Sequence, residues 1–125
     1  MALQKFGHQA EDFLLMAVPA IGIRVVDRKV VGTDPGCPFA IASSCDRKDL
    51  DDGFDFWFWI RTVGWIKVDL TTARKPEVIS KKRSRSDVVT LCINFRTLEL
   101  SSRGCERDIC ILETIFMSLV KEFVQ

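Results

Sequence analysis

A chain of 125 residues, 47% hydrophobic and 28% charged, has the size and composition of one globular domain, which excludes a disordered, fibrous or collagen-like protein. Its net charge of +1 excludes a globally basic surface, so any nucleic-acid contact must come from a local patch. Five cysteines, at 37, 45, 92, 105 and 110, and a single histidine match no zinc-ligand spacing, and free thiols in a reducing compartment are expected.

Phe6, Ala10, Phe13, Leu14 and Ala17 recur at helical spacing and predict a helix over residues 4–18, closed by Pro19 and Gly22. His8 lies off that stripe and reads as a surface residue, so a Ser-His-Asp or Cys-His site finds no support. The apolar run from Phe13 to Ile23 is too short for a bilayer and contains Pro19. Glu11 and Asp12 precede it where a signal peptide needs positive charge, so a soluble, cytoplasmic protein is expected. Ile23 to Val31 reads as one strand or as a hairpin turning near Asp27-Arg28. Gly32, Pro35, Gly36 and Pro38 mark loops in residues 32–53, with a short extended piece at Phe39 to Ala42. Phe54 to Thr62 and Trp65 to Leu70 form a hairpin about Val63-Gly64. Residues 71–87 are polar and basic, a short helix or a loop. Val88 to Phe95 is a buried strand by its nearly continuous apolar run. Glu106 to Val124 is a helix with an apolar stripe at Ile109, Leu112, Phe116, Leu119 and Phe123, which Ser101 or Ser102 can cap. The order predicts an α/β fold, a mixed central sheet flanked by helices, as a single domain over residues 1–125.

Two acids interrupt the hairpin's core-like strands. Alternation puts Asp55 on one face with Trp57, Trp59 and Arg61, and puts Lys67, Asp69 and Thr71 together on one face of the partner. Burying an unpaired carboxylate is costly, so such groups pair or bind a cation. Asp55 and Asp69 on neighbouring strands could share a hard divalent ion, Mg²⁺ or Mn²⁺. Alternatively, Asp55 pairs with Lys67 or Arg61 across the strands, and Asp69 with another base. Lys67 could balance charge on a transferring phosphate. Glu11 is a solvated helix charge unless its helix leans over the sheet near Asp55. Trp57 and Trp59 are core or the walls of a cleft. Six Lys or Arg between Arg74 and Arg85, among them Lys75, Lys81, Lys82, Arg83 and Arg85, form either a phosphate-binding segment or a solvated loop.

These segments resemble the PD-(D/E)XK nuclease-like, or restriction-endonuclease-like, superfamily. Gly7-His8-Gln9-Ala10-Glu11-Asp12-Phe13-Leu14 is similar to the family's opening helix with its Glu, and Gly22 to Arg28 to the strand that follows. Asp55-Phe56-Trp57-Phe58 is similar to the strand with the first metal-binding Asp. Ile66-Lys67-Val68-Asp69-Leu70-Thr71 is similar to the next strand, where the family has an acid, one spacer and a Lys. The resemblance implies Mg²⁺- or Mn²⁺-dependent phosphodiester hydrolysis on DNA. It implies Glu11, Asp55 and Asp69 as metal ligands or their supports. Thr71 stands at the family's catalytic Lys, so Lys67 or Lys75 takes that role or catalysis is impaired. The other readings are a non-catalytic relative that binds nucleic acid or a protein, and an unrelated α/β protein with salt-bridged acids. So small a chain offers little surface for gripping duplex DNA alone, so a homodimer is expected.

Overall fold

The computed structural model describes residues 2–44, 54–72 and 87–124. Its organising element is the predicted hairpin. Phe56–Ile60 forms β3, residues 61–63 turn, and Gly64–Thr71 forms β4. Gly64 opens β4 at φ +106°, a conformation that L side chains avoid and glycine accepts, which explains Val63-Gly64 as the turn signal. Phe58 pairs with Ile66 and Trp57 with Lys67, as alternation about that turn requires.

Around the hairpin the fold is α/β, a five-stranded mixed sheet with flanking helices, in the order β1-β2-β3-β4-β5. β2 (Phe39–Ser43) pairs antiparallel with β3, and β1 (Arg24–Val25) parallel with β2. β5 (Val88–Cys92) pairs parallel with β4. Ile41, Phe56, Phe58, Val68, Leu70 and Leu91 share one face of this sheet by register, and all are buried. Against that face pack α1 (Ala2–Ala17), α2 (Phe95–Ser102) and α3 (Glu106–Val124), through Ala10, Leu14 and Ala17, Leu98, and Leu112, Phe116 and Leu119. Phe58 centres the core, with its ring 5.4 Å from Phe116 and 6.3 Å from Phe39.

Four elements depart from the sequence reading. The strand or hairpin expected over Ile23–Val31 is only the two-residue β1, because Asp27 accepts from the Lys29 amide and turns the chain into a 3₁₀ turn, Arg28–Val30. The strand expected to run to Phe95 ends at Cys92. Asn94 accepts from the Arg96 amide at 2.8 Å and caps α2, a helix not foreseen. Ser101 and Ser102 therefore close α2 instead of capping the last helix. That helix starts at Glu106, with Glu106 and Asp108 in its first turn where the helix dipole favours acids. The first helix ends at Ala17, and Pro19 continues it as a 3₁₀ turn that Gly22 terminates at φ +82°. The helix or loop expected over 71–87 lies mostly outside the described residues. Among the described residues no helix is long and apolar enough to cross a membrane.

Phe116 is fully buried, whereas Phe123 on the same predicted stripe is 37% exposed. Phe116→Ala should cost about 3–5 kcal/mol of unfolding free energy in urea denaturation, and Phe123→Ala under about 1 kcal/mol. Equal losses would mean that the α3 stripe is buried along its whole length.

Candidate functional site

Asp55 immediately precedes β3, where the β3–β4 ladder loses its regular pairing. The register Phe56↔Val68 would set Asp55 opposite Asp69. Instead the Asp55 amide donates to Val68 O at 2.9 Å, and the Asp55 carbonyl accepts from the Ser44 amide at 3.0 Å. The Asp55 carboxylate takes over the next ladder position, with Oδ2 accepting from the Leu70 amide at 2.8 Å. Slips of this kind re-aim a side chain at a strand end.

The re-aimed carboxyl meets two others. The Asp55 carboxyl lies close enough to the side chains of Asp69, on β4, and Glu11, on α1, for both to shift its pKa. Glu11 reaches it because Ala10, Leu14 and Ala17 fix α1 over the sheet. Asp69 is 7% exposed, while Asp55 and Glu11 are half-buried. The acidity of Asp55 follows from this setting. Burial pushes its pKa up to about 6, and the Asp69 contact opposes that by favouring the ionised form. The contact with Glu11 raises it again, the Leu70 amide lowers it, and the charge of Glu11 raises it further.

Carboxyl groups in such contact ionise together only when a proton, a basic side chain or a cation offsets their charge. The ion pair foreseen between Asp55 and Lys67 or Arg61 is not formed among the described residues, where Asp55 meets Asp69, Glu11 and the Leu70 amide and Lys67 pairs with Asp87. The donors are hard oxygens of the type Mg²⁺ and Mn²⁺ prefer. Among the described residues no three or more His, Cys, Asp or Glu side chains are arranged to hold a metal ion.

Lys67 shares the outer face with Asp69, as alternation predicts, but its ammonium lies elsewhere. It is 3.9 Å from Asp87 Oδ2, 5.4 Å from the Phe54 ring centre and 5.9 Å from that of Trp57. Thr71 is buried, two residues beyond Asp69 and opposite Cys92. Sequence reading missed Phe54 and Asp87 as neighbours of Lys67, because Asp87 arrives through the parallel β4–β5 pairing, which no local pattern encodes. Trp59 and Trp65 are half-buried and donate their indole N–H groups to Cys37 O at 2.9 Å and Thr33 O at 2.8 Å, which ties the loop before β2 to the outer face. Lys75, Lys81, Lys82, Arg83 and Arg85 lie outside the described residues. No protein-family model, curated protein or solved structure matches the chain.

An acid whose pKa is raised on folding binds its proton more tightly in the native state. Stability from Asp55 is therefore complete below about pH 4, declines as pH rises toward about 6, and stays lost above it. Asp55→Asn retains a carbonyl acceptor for the Leu70 amide but carries no charge. The variant should melt higher than the natural protein at pH 8, with the gap closing by pH 4, in parallel melts followed by circular dichroism. A gap independent of pH would show that ionisation of Asp55 has no energetic consequence.

Proposed function

We propose that this chain is a divergent, metal-dependent nuclease of the PD-(D/E)XK type that hydrolyses DNA phosphodiesters. One observation carries the reading: the carboxyl of Asp55, at the start of β3, meets those of Glu11 on α1 and Asp69 on β4, residues far apart in sequence. The element order supports it. An opening helix with the Glu, a hairpin about the two Asp, a later strand at Val88–Cys92 and a closing helix at Glu106–Val124 are what the resemblance leads one to expect. The proposed fold is accordingly restriction-endonuclease-like.

In this reading Asp55 and Asp69 are the ligands of Mg²⁺ or Mn²⁺. A cation bound there would polarise the phosphodiester and lower the pKa of an attacking water. Glu11 acts on Asp55 by raising its pKa. The Leu70 amide fixes the orientation of Asp55. Lys67 is the described cation nearest in sequence to Asp69 and is assigned the balancing of phosphate charge. Lys75, Lys81, Lys82, Arg83 and Arg85 follow β4 directly in sequence and are assigned to the DNA backbone.

A second reading is favoured by two residues. Thr71 occupies the family's Lys position, and Lys67 lies against Asp87 and two aromatic rings. A non-catalytic relative that binds nucleic acid or a protein would look the same. Plasmid cleavage with Mg²⁺ and Mn²⁺ separates the two. Cleavage should fall by roughly 100-fold or more in Asp69→Asn. Cation should also raise the melting temperature of the natural protein by several degrees at pH 8, and of Asp69→Asn by much less. If neither metal supports cleavage while the melting shift persists, the non-catalytic reading holds. If the shift is absent too, the carboxyl cluster is not a cation site.

A further inference from the structure

We infer that the sheet end beside the acidic cluster receives an unpaired nucleobase, so that the preferred substrate is single-stranded or locally opened nucleic acid. The substrate assignment rests on the nuclease reading above; the base pocket does not.

The pocket arises from unequal strand lengths. Among the described residues β5 begins at Val88, opposite Lys67, and Gly64–Ile66 of β4 run past its start. The notch left there is a cavity of about 250 Å³, lined by Trp57, Trp65, Ile66, Lys67, Asp87 and Phe123 among others. It falls below the ~300–1,000 Å³ typical of drug-sized ligand sites and suits one flat group.

Its walls have the chemistry of a stacking site. Trp57 is wedged edge-on against Phe54, with ring centres 5.1 Å apart at 80°. Trp65 is fixed by its bond to Thr33 O and by Trp59, 5.4 Å away. Rings held this way lose little freedom when a base stacks on them, and every base has a π-face to offer. The polar groups are complementary as well. Lys67 Nζ and Asp87 Oδ2 stand 3.9 Å apart, beyond hydrogen-bond range, and neither side chain makes a hydrogen bond among the described residues. A donor and an acceptor side by side match the edge of a base.

Distance links the notch to the acids. Lys67 and Asp69 lie on the same face two residues apart, about 6.6–6.8 Å along a strand. A base in the notch would therefore leave its own or the adjacent phosphate near Asp55 and Asp69. A base inside a duplex cannot enter without leaving its stack, at a cost of a few kcal/mol that a single strand does not incur.

The test is binding of a fluorescent single-stranded oligodeoxynucleotide in EDTA, beside the blunt duplex of the same sequence. The single strand should bind about 10-fold or more tightly than the duplex, and an abasic substitution walked along it should weaken binding about 5- to 100-fold at one position. Trp57→Phe, which keeps the ring contact with Phe54, should blunt that positional dependence. Equal affinity for the two forms, or a flat abasic profile, overturns the pocket even if plasmid cleavage is found. A positional profile that persists in Asp69→Asn and in a protein that never cleaves supports the pocket and overturns only the nuclease reading.

Discussion

Carboxyl groups repel one another when ionised, and in this fold Asp55 is held close to two others. The contact between Asp55, Asp69 and Glu11 is not a local accident, because each acid is delivered by a different constraint. Asp69 is fixed by its place inside β4, flanked by the core residues Val68 and Leu70. Asp55 is turned out of the ladder by the slip that gives its amide to Val68 and its carboxylate to Leu70. Glu11 is placed by the packing of α1, since Ala10 and Leu14 on the same helix are buried against the sheet. Moving any one of these elements would separate the acids and relieve the repulsion. That the core holds them together instead means hydrophobic burial exceeds the electrostatic penalty at this point.

A cluster so arranged works against stability at neutral pH. Asp55, with a pKa near 6, is mostly ionised at pH 7 in a setting that disfavours its charge. The protein can tolerate it because its core is well supplied elsewhere, with Phe56, Phe58 and Phe116 fully buried between sheet and helices.

What could be read from the sequence depended on the range of the interaction. The period-2 alternation of the hairpin decides which side chains share a face, and Lys67, Asp69 and Thr71 are placed accordingly, whereas Asp55 is turned out of register by the slip before β3. The stripe of the last helix was legible for the same reason, with Leu112, Phe116 and Leu119 all buried. The elements that escaped were decided by single polar side chains. Asp27 and Asn94 each capture an amide two residues on and convert an extended-looking run into a turn or a helix start. The site was legible as a pair of acids on adjacent strands. That Glu11 joins them depends on how α1 leans, and the partner of Lys67 depends on a parallel pairing across a long connection. Neither is encoded in local spacing.

The outer face of β4 thus has two chemically distinct ends. Asp69 and Thr71 lie toward its C-terminal end, beside Asp55 and Glu11. Trp65 and Lys67 lie toward its N-terminal end, beside Trp57, Phe54 and Asp87. Alternation alone would assign Lys67 to the acids, as either a salt-bridge partner or a balance for phosphate charge. Its ammonium lies the other way, against two aromatic faces and Asp87. Asp69 and Lys67 therefore serve different halves of the same surface, and the two-residue interval between them sets the length of ligand that could engage both.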